Sequence, residues 1–468
     1  MSDRAVFALA VAVCAGARLA WRVPWPVVAL VVVVAVAVRR SAPVVVGAFV
    51  LACALSAMAW AGLSSPLPGV VSGTAVLLTD PADVHGALRV ELRLGRRHIE
   101  AWAHGSGASI LRARLAGERV WVRGRLRAPP GRVRARLAAQ HVGARLEVLD
   151  VGGWRAGSLA GRAANGVRRT LERGARPLHG DDRSLLLGVV LGDVRDERPA
   201  LADAFRRSGL SHLLVVSGEN LAFVLALAGP LLRRLGLRTR FVATLAVIAF
   251  FGLLTRWEPS VLRASAMAAL ACTASTVGRP TSRIRLLALA VAAVVLVDPL
   301  LVDSLSFRLS VGSTVGIALL AHPIAARLRG PRWLAESLAV TLAAQIGVAP
   351  VALPAFGGLP LAALPANVLA VPAAAPLTAW GFVGGGLAGL LGPPFDGWLH
   401  APTRALAAWL AIVARWGAAL PLGQVRPAHA AVLAALVAAG WAARRTLRSA
   451  GWSWPWDRTG STSPPGRS

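Results

Sequence analysis

Apolar runs long enough to cross a bilayer recur along most of this 468-residue chain, and such density suits a chain whose main solvent is lipid. They cover about Ala5 to Leu19, Val23 to Val38, Pro43 to Leu63, Ser208 to Leu232, Phe241 to Leu254, Val261 to Val277 and Leu286 to Val302. The series continues over Val311 to Leu320, Leu334 to Leu353, Leu361 to Leu391, Thr403 to Leu420 and Ala428 to Ala443. Hydrophobic residues make up 56% of the sequence and charged residues only 16%, against about 25% charged in soluble domains, which excludes a water-soluble globule. Arginine clusters punctuate the runs at Arg39-Arg40, Arg233/Arg234/Arg238/Arg240, Arg279/Arg283/Arg285, Arg327/Arg329/Arg332 and Arg444/Arg445/Arg448, which marks alternate connections as cytoplasmic. The expectation is a polytopic α-helical membrane protein of about twelve spans with both termini inside. Pro365, Pro372, Pro376 and Gly384-Gly385-Gly386 within Leu361 to Leu391 suggest a broken or re-entrant element beside one full crossing.

One stretch follows a different rule. Between about Val70 and Val151 the long apolar runs stop, and Leu88, Val90, Leu92 and Leu94 alternate with Arg89, Glu91 and Arg93, the period of a half-buried strand. Turn formers at Asp80-Pro81, Gly105-Ser106-Gly107 and Pro129-Pro130-Gly131 cut the stretch into several short strands. An inserted extracytoplasmic small β-barrel of OB type is the expectation for residues 70–152. It follows N-terminal transmembrane helices over 1–65 and precedes a basic interfacial helix or linker over 154–180, a long transmembrane domain over 181–446 and an interfacial or disordered tail over 447–468, where Trp452, Trp454 and Trp456 stand. Arg outnumbers Asp and Glu by about eight in the β stretch, and Trp102 and Trp121 interleave with Arg123, Arg125 and Arg127. That mixture suits single-stranded nucleic acid, whose phosphates meet Arg while its bases stack on indole. Contact with lipid headgroups alone is the competing reading.

The formal net charge is +29, and all 51 basic residues are Arg. An excess of this size favours polyanionic partners, either membrane lipid or nucleic acid, with the positive-inside bias accounting for part of it. Cys14, Cys53 and Cys272 lie in apolar runs without paired spacing and read as small core residues. No H-x-H or H-E-x-x-H occurs among the nine histidines, and a Walker A loop is impossible without Lys. Neither a metal nor another cofactor is expected, and no catalytic residue is assigned.

Polar residues concentrate in one apolar run. Ser208 to Leu221 carries His212, Ser217, Glu219 and Asn220 with Gly218 among them, and polar groups at membrane depth usually face a bundle interior or an aqueous path. At helical spacing Ser208, Ser211 and His212 stack, and His212, Glu219 and Asn220 share a face. Polar glue between helices is the plain alternative. A Ser217 nucleophile with His212 as base and Asp193 or Asp196 orienting it would make an intramembrane serine hydrolase. Residues five apart lie about 140° apart on a helix, and no G-x-S-x-G elbow is present. An ion- or proton-coupled small-solute transporter using Glu219, Glu258, Arg263 and Glu336 is the other alternative.

The run Ser211-His212-Leu213-Leu214-Val215-Val216-Ser217-Gly218-Glu219-Asn220 resembles the signature of the ComEC-type competence family, which carries a similar H-L-L-x-x-S-G segment. Leu185-Leu186-Leu187-Gly188 with Leu191-Gly192, Pro259-Ser260-Val261-Leu262-Arg263-Ala264, Asp298-Pro299 and Phe307-Arg308-Leu309-Ser310 are similar to further family elements in the same order. Gln345, Pro350 and Asn367 fall where the family often has isolated polar residues or Pro. The resemblance covers most of the chain and implies a plasma-membrane channel, not an enzyme, that passes single-stranded DNA inward during natural transformation. His212, Ser217, Gly218, Glu219, Asn220, Arg263, Gln345 and Asn367 would line the path. Trp102, Trp121, Arg123, Arg125 and Arg127 would collect the strand. The implied partners are a cytoplasmic DNA-translocating ATPase or helicase, a DNA-receptor protein and a further copy of the chain in a homo-oligomer. Glu219 departs from the small or apolar residue usual in the family. The metallo-β-lactamase-like domain of many members has no counterpart in this sequence, so any nuclease step is expected to belong to a separate polypeptide or to be missing.

Overall fold

A computed structural model describes residues 2–429 apart from 39–40, 64–67, 85, 196 and 280. Arg39-Arg40, Asp196, the run from Ala428 to Ala443 beyond residue 429, Arg444/Arg445/Arg448 and the Trp-bearing tail lie outside the described residues. The chain opens with α1 (Asp3–Leu19), α2 (Trp25–Val38) and α3 (Ser41–Gly62). Ser2 caps α1 through the Ala5 N–H, Asp3 sits in its first turn and Arg18 in its last, the polarity a helix dipole favours. Val6, Ala10, Val13 and Ala17 bury one stripe of α1 against α3 and a later helix. A side chain on Gly16 would reach within 2.4 Å of the Phe49 carbonyl oxygen, so only glycine allows this approach. In α2 Leu30, Val33 and Val34 stay exposed, as expected of a helix whose outer face meets lipid.

The β region contains β1 (Gly69–Leu77), β2 (Ala82–Val84), β3 (Ala87–Leu94), β4 (Arg97–Ala103), α4 (Gly105–Arg112), β5 (Arg119–Arg127), α5 (Gly131–Ala138) and β6 (Val142–Arg155). Its sheet runs β1-β5-β6-β4-β3-β2, and β1 also pairs with β3 through Ala75↔Leu94, so the ladder returns to its first strand. Neighbours are antiparallel except β4 and β6. The alternation read from the sequence is the reason. Leu88, Val90, Leu92, Ile99, Ala101, Val120, Val122 and Leu146 point into one apolar core, with Leu111 of α4 closing it. Gly124 lets β5 come close to β6, because a Cβ there would meet the Glu147 carbonyl oxygen at 2.5 Å.

The remainder is helical. It comprises α6 (Leu159–Gly174), α7 (Asp181–Leu191), α8 (Pro199–Arg207), α9 (Gly218–Leu232), α10 (Leu237–Leu254), α11 (Pro259–Thr276) and α12 (Arg283–Val297). After these come α13 (Leu305–Ala325), α14 (Arg332–Phe356), β7 (Leu359–Pro360), α15 (Ala363–Leu391), α16 (Phe395–Leu399), α17 (Ala401–Ala419) and β8 (Gln424–Val425), which pairs with β7. Six stretches among the described residues are long and apolar enough to cross a membrane: Ser41–Gly62, Ser211–Leu232, Leu237–Leu254, Leu305–Ala325, Arg332–Phe356 and Ala363–Leu391. The protein is therefore a mostly helical, polytopic membrane protein.

Two local expectations change. Leu361 to Leu391 holds no break: α15 is continuous over 29 residues. Pro372 and Pro376 lie on its exposed face, while Ala366, Ala370, Ala373 and Leu377 hold the opposite face in a core shared with α7, α8 and α17. Tertiary packing of one face keeps the helix running through both prolines. Conversely, Ser208 to Leu232 is not one helix. After α8 the chain turns at Gly209, whose φ of +74° only glycine adopts freely and whose missing side chain makes room for Ala363. A 3₁₀ turn over Ser211–Leu213 follows, the chain extends, and α9 starts only at Gly218.

Candidate functional site

The start of α9 is built by the polar residues of the signature. Ser217 has extended backbone and acts as N-cap, its Oγ accepting from the Glu219 N–H at 3.2 Å. The same hydroxyl lies 3.3 Å from Asn220 Oδ1, and Asn220 Nδ2 donates to the Val189 carbonyl in α7 at 2.7 Å. Asn220 is therefore a tie between α9 and α7. Gly218 faces α11, where an added Cβ would stand 2.8 Å from Ala264 Cβ and 3.5 Å from Arg263 Nη2. Ser260 Oγ donates to the Val216 carbonyl at 2.8 Å, which pins the first turn of α11 to the extended segment ahead of α9. Arg263 is 9% exposed, and its Nε donates to Ser310 Oγ of α13 at 2.9 Å while Nη1 lies 3.2 Å from Met267 Sδ. No carboxylate among the described residues lies within ion-pair distance of it.

The structure thus brings Ser217, Gly218, Asn220 and Arg263 together, with Ser310 and Ser260 added. It leaves the other signature residues apart. His212 is exposed in the 3₁₀ turn and makes no hydrogen bond to Ser217, so no nucleophile and base meet here. Glu219 is exposed one residue into α9 and forms no ion pair among the described residues. Gln345 stands half-buried on α14 without a side-chain hydrogen bond among the described residues. Asn367 is buried on α15, where Nδ2 donates to the Ala363 carbonyl and Oδ1 has no partner among the described residues.

On the β region, Arg123, Arg125 and Arg127 point outward from β5 beside Trp121, since the alternating Val120, Val122, Gly124 and Leu126 point in. In register across β6, Arg125 faces Glu147, which in turn faces Trp102 of β4. Trp102 and the three arginines therefore share one outward face. They are not equally available. Arg127 pairs with Glu147 at 2.7 Å, and Arg145 packs on the Trp102 ring while pairing with buried Glu100, whereas Arg123 and Arg125 have no ion-pair partner among the described residues.

A second polar centre escaped the sequence reading. Arg168 of α6, only 2% exposed, donates to the carbonyls of Leu191 and Leu254 and pairs with Asp80 at 2.9 Å, with Asp193 at 3.7 Å. Asp80 also pairs with Arg256, which reaches Asn165 Oδ1, and Arg195 joins Asp193 and Glu172. This lattice joins the β region to α6, α7 and α10. Burial opposes ionisation of Asp80, but Arg168 and Arg256 outweigh it and hold the carboxyl below its ordinary range. The residues between Trp154 and His179 read as a basic surface helix. Arg168 nevertheless follows Ala164 by four and precedes Leu171 by three, on the apolar stripe, which was the available signal. A polar pocket of about 180 Å³ opens beside the lattice, lined among others by Asp83, Arg112, Glu172 and Arg195.

A separate contact joins the β region to the helices, where His141 Nε2 lies 2.9 Å from Asp298 Oδ1 at the end of α12. That hydrogen bond raises the imidazole above its ordinary value, while burial and the neighbouring His141 lower His98. Burial pushes Glu91 up to about 7, with Glu100 and Glu258 adding to the shift. No group of three or more His, Cys, Asp or Glu among the described residues could hold a metal ion.

Residues 189–449 match the family model described as competence protein. The chain is also 28% identical over 198 residues to ComE operon protein 3 of Bacillus subtilis (strain 168), across 41% of this chain and 25% of that protein. The match thus spans about a quarter of that relative's length. No solved structure matches. The matched region contains the α9 start, α11 and the Arg263 contacts, and it covers more than half of the sequence, so the chain belongs to the ComEC-type competence protein family.

Proposed function

We propose that this protein is a plasma-membrane conduit that passes single-stranded DNA inward during competence. The observation that carries the reading is the unwound stretch ahead of Gly218 in a segment apolar enough to span. Non-helical backbone at membrane depth is tolerated only where protein buries it or where it lines a water-filled path. Here Ser217, Asn220 and Arg263 converge on it. The β region supports the reading as an OB-type barrel on the outer face. Its ladder returns from β3 to β1, β4 and β6 are parallel, and a helix separates β4 from β5, as in a five-stranded Greek-key barrel. Its outward Arg123, Arg125, Trp121 and Trp102 offer phosphate contacts and stacking surfaces.

In this reading the chain performs no covalent chemistry and has about twelve spans. A cytoplasmic ATPase or helicase supplies the pull, a receptor protein delivers DNA, a separate nuclease provides the single strand, and copies of the chain associate. Deletion of the gene should abolish internalisation of a labelled strand while leaving DNA bound at the cell surface. Normal internalisation with impaired accumulation of a small solute would replace the conduit by a transporter. Topology is tested in the same cells, since Gly105→Cys should react with an impermeant thiol reagent and Arg329→Cys should not.

A further inference from the structure

We infer that α16, the last turn of α15 and the arginines at the end of α6 together form a docking surface for the anionic headgroup layer of the membrane. Such a surface does not depend on passage of a strand; it requires only the polytopic fold. α15 ends in Leu390 and Leu391, and after a three-residue link α16 carries Phe395 and Trp398. All four side chains are exposed, Leu390 to 74% and Trp398 to 83%. Large apolar groups opened to this extent in one run are costly in water and ordinary against acyl chains. The indole sets the depth, because Trp concentrates where hydrocarbon gives way to headgroups. The length of α15 agrees. At about 1.5 Å per residue its 29 residues span roughly 43 Å, more than the ~30 Å hydrocarbon core, so a helix of this length carries its ends into the headgroup layers.

Cations stand beside the apolar run because α6 is packed on the end of α15. Any side chain on Gly389 would collide with the Thr170 carbonyl, and one on Gly174 with the Gly385 carbonyl, so the two helices meet backbone to backbone. His400 Nε2, 2.7 Å from the Gly174 carbonyl oxygen, ties the residue that follows α16 to the same end of α6. Arg173 and Arg176 are exposed there. Arg173 donates to the Arg169 carbonyl and to Thr170 Oγ1, both neutral, and neither arginine has an ion-pair partner among the described residues. The carboxylates of α6 and α16 are engaged elsewhere, Glu172 with Arg195 and Asp396 with the Gly397 N–H. An apolar run flanked by unpaired guanidinium groups matches a surface that binds anionic lipid: the arginine stems lie along apolar surface while their heads reach headgroup phosphate. A nucleic-acid strand would offer phosphate too, but four aliphatic and aromatic side chains opening together at the end of a spanning helix favour lipid.

The test reconstitutes the full chain in phosphatidylcholine vesicles with a trace of phosphatidylglycerol or, in parallel, of phosphatidylcholine, each carrying the same photoreactive acyl chain. Adducts on residues 390–398 are counted by mass spectrometry. Wild type should be labelled about fivefold more by the phosphatidylglycerol probe, the preference that one arginine near an anionic surface supplies, or more if both act. The double variant Arg173→Gln, Arg176→Gln should bring the two probes level, while Arg173→Lys, Arg176→Lys keeps the preference. Labelling by the phosphatidylcholine probe should be the same in all three proteins, since the apolar run stays in place. Raising salt should shrink the wild-type preference, a readout that needs no variant. Equal labelling of wild type by the two lipids, a preference indifferent to salt, or one undiminished in the Gln pair would overturn the inference. Excess oligothymidylate should leave the adducts unchanged; displacement of the phosphatidylglycerol adducts would give the surface to nucleic acid and overturn the lipid assignment.

Discussion

Two buried arginines stand in this molecule under opposite conditions. Arg168, at the junction of the β region and the helices, is surrounded by carboxylates and carbonyls. Arg263, at the break ahead of α9, is nearly as buried but meets only neutral partners among the described residues. A low-dielectric site amplifies a good pairing and the lack of one alike. The difference teaches how each centre is held: a saturated lattice fixes two parts of a protein in one arrangement, whereas the cation at the break is held by neutral groups alone among the described residues.

The largest effect is expected at the saturated centre. Asp80→Asn removes the charge shared by Arg168 and Arg256, and breaking a buried pair of this kind costs about 3–5 kcal/mol. Thermal melting of the purified protein should show the loss, together with reduced abundance in the membrane. Wild-type melting would mean that the lattice does not hold the β region in place.

Gly218→Val should follow, at about 1–3 kcal/mol for overpacking against Ala264. Unlike Asp80→Asn, it should slow strand passage in molecules that remain folded, because it pushes α9 away from Ala264 of α11 at the break. Asn220→Leu offers the contrast within the same cluster. It deletes the bond to the Val189 carbonyl, at about 1–3 kcal/mol for an unsatisfied buried group, and should lower abundance and passage together. Passage falling without any loss of abundance would move Asn220 from the scaffold to the path.

Smaller again is the response of the outward β face. Arg123→Gln and Arg125→Gln should each weaken single-strand binding and lower the slope of log affinity against log salt by about 0.7. Arg127→Gln should do less, since Glu147 already holds that side chain. Equal effects at all three positions would show that the ion pair does not limit Arg127.

The junction should also respond to pH in two directions. Asp80 has a lowered folded pKa, so its contribution is present above the unfolded value and is lost as pH falls through the folded one. His141 has a raised folded pKa, so its contribution is full below the unfolded value and is lost as pH rises through the folded one. Glu91 adds to the second trend. Its pKa of about 7 means that a desolvation penalty grows as pH rises from the ordinary carboxylate range toward neutrality. Melting scans of wild type, Asp298→Asn and Glu91→Gln between pH 5 and 8 check this, with the loss toward pH 8 expected to shrink in both variants. An unchanged slope in both would remove the alkaline limb.

Much of this was legible in the sequence because it rests on periodicity. The 2-residue alternation from Leu88 to Leu94 became β3, and the Arg face of β5 followed from its apolar alternation. The H-L-L-x-x-S-G resemblance pointed to the segment that caps α9. What periodicity cannot encode is partnership across distance. Arg168 and Asp80 are far apart in sequence, so a buried lattice read as a surface helix and a turn. Nor does composition decide whether Pro breaks a helix. Pro372 and Pro376 are tolerated because the opposite face of α15 is packed, and that packing comes from α7 and α17.

The most direct test of the central claim places a photoreactive amino acid at Ser217 and, as control, at Leu227, which is exposed on the same helix. Cells arrested during uptake of a labelled strand are then irradiated. The account expects a DNA adduct at position 217 and none at 227. Adducts at neither position during active uptake, or at both equally, would contradict passage of the strand through the break ahead of α9.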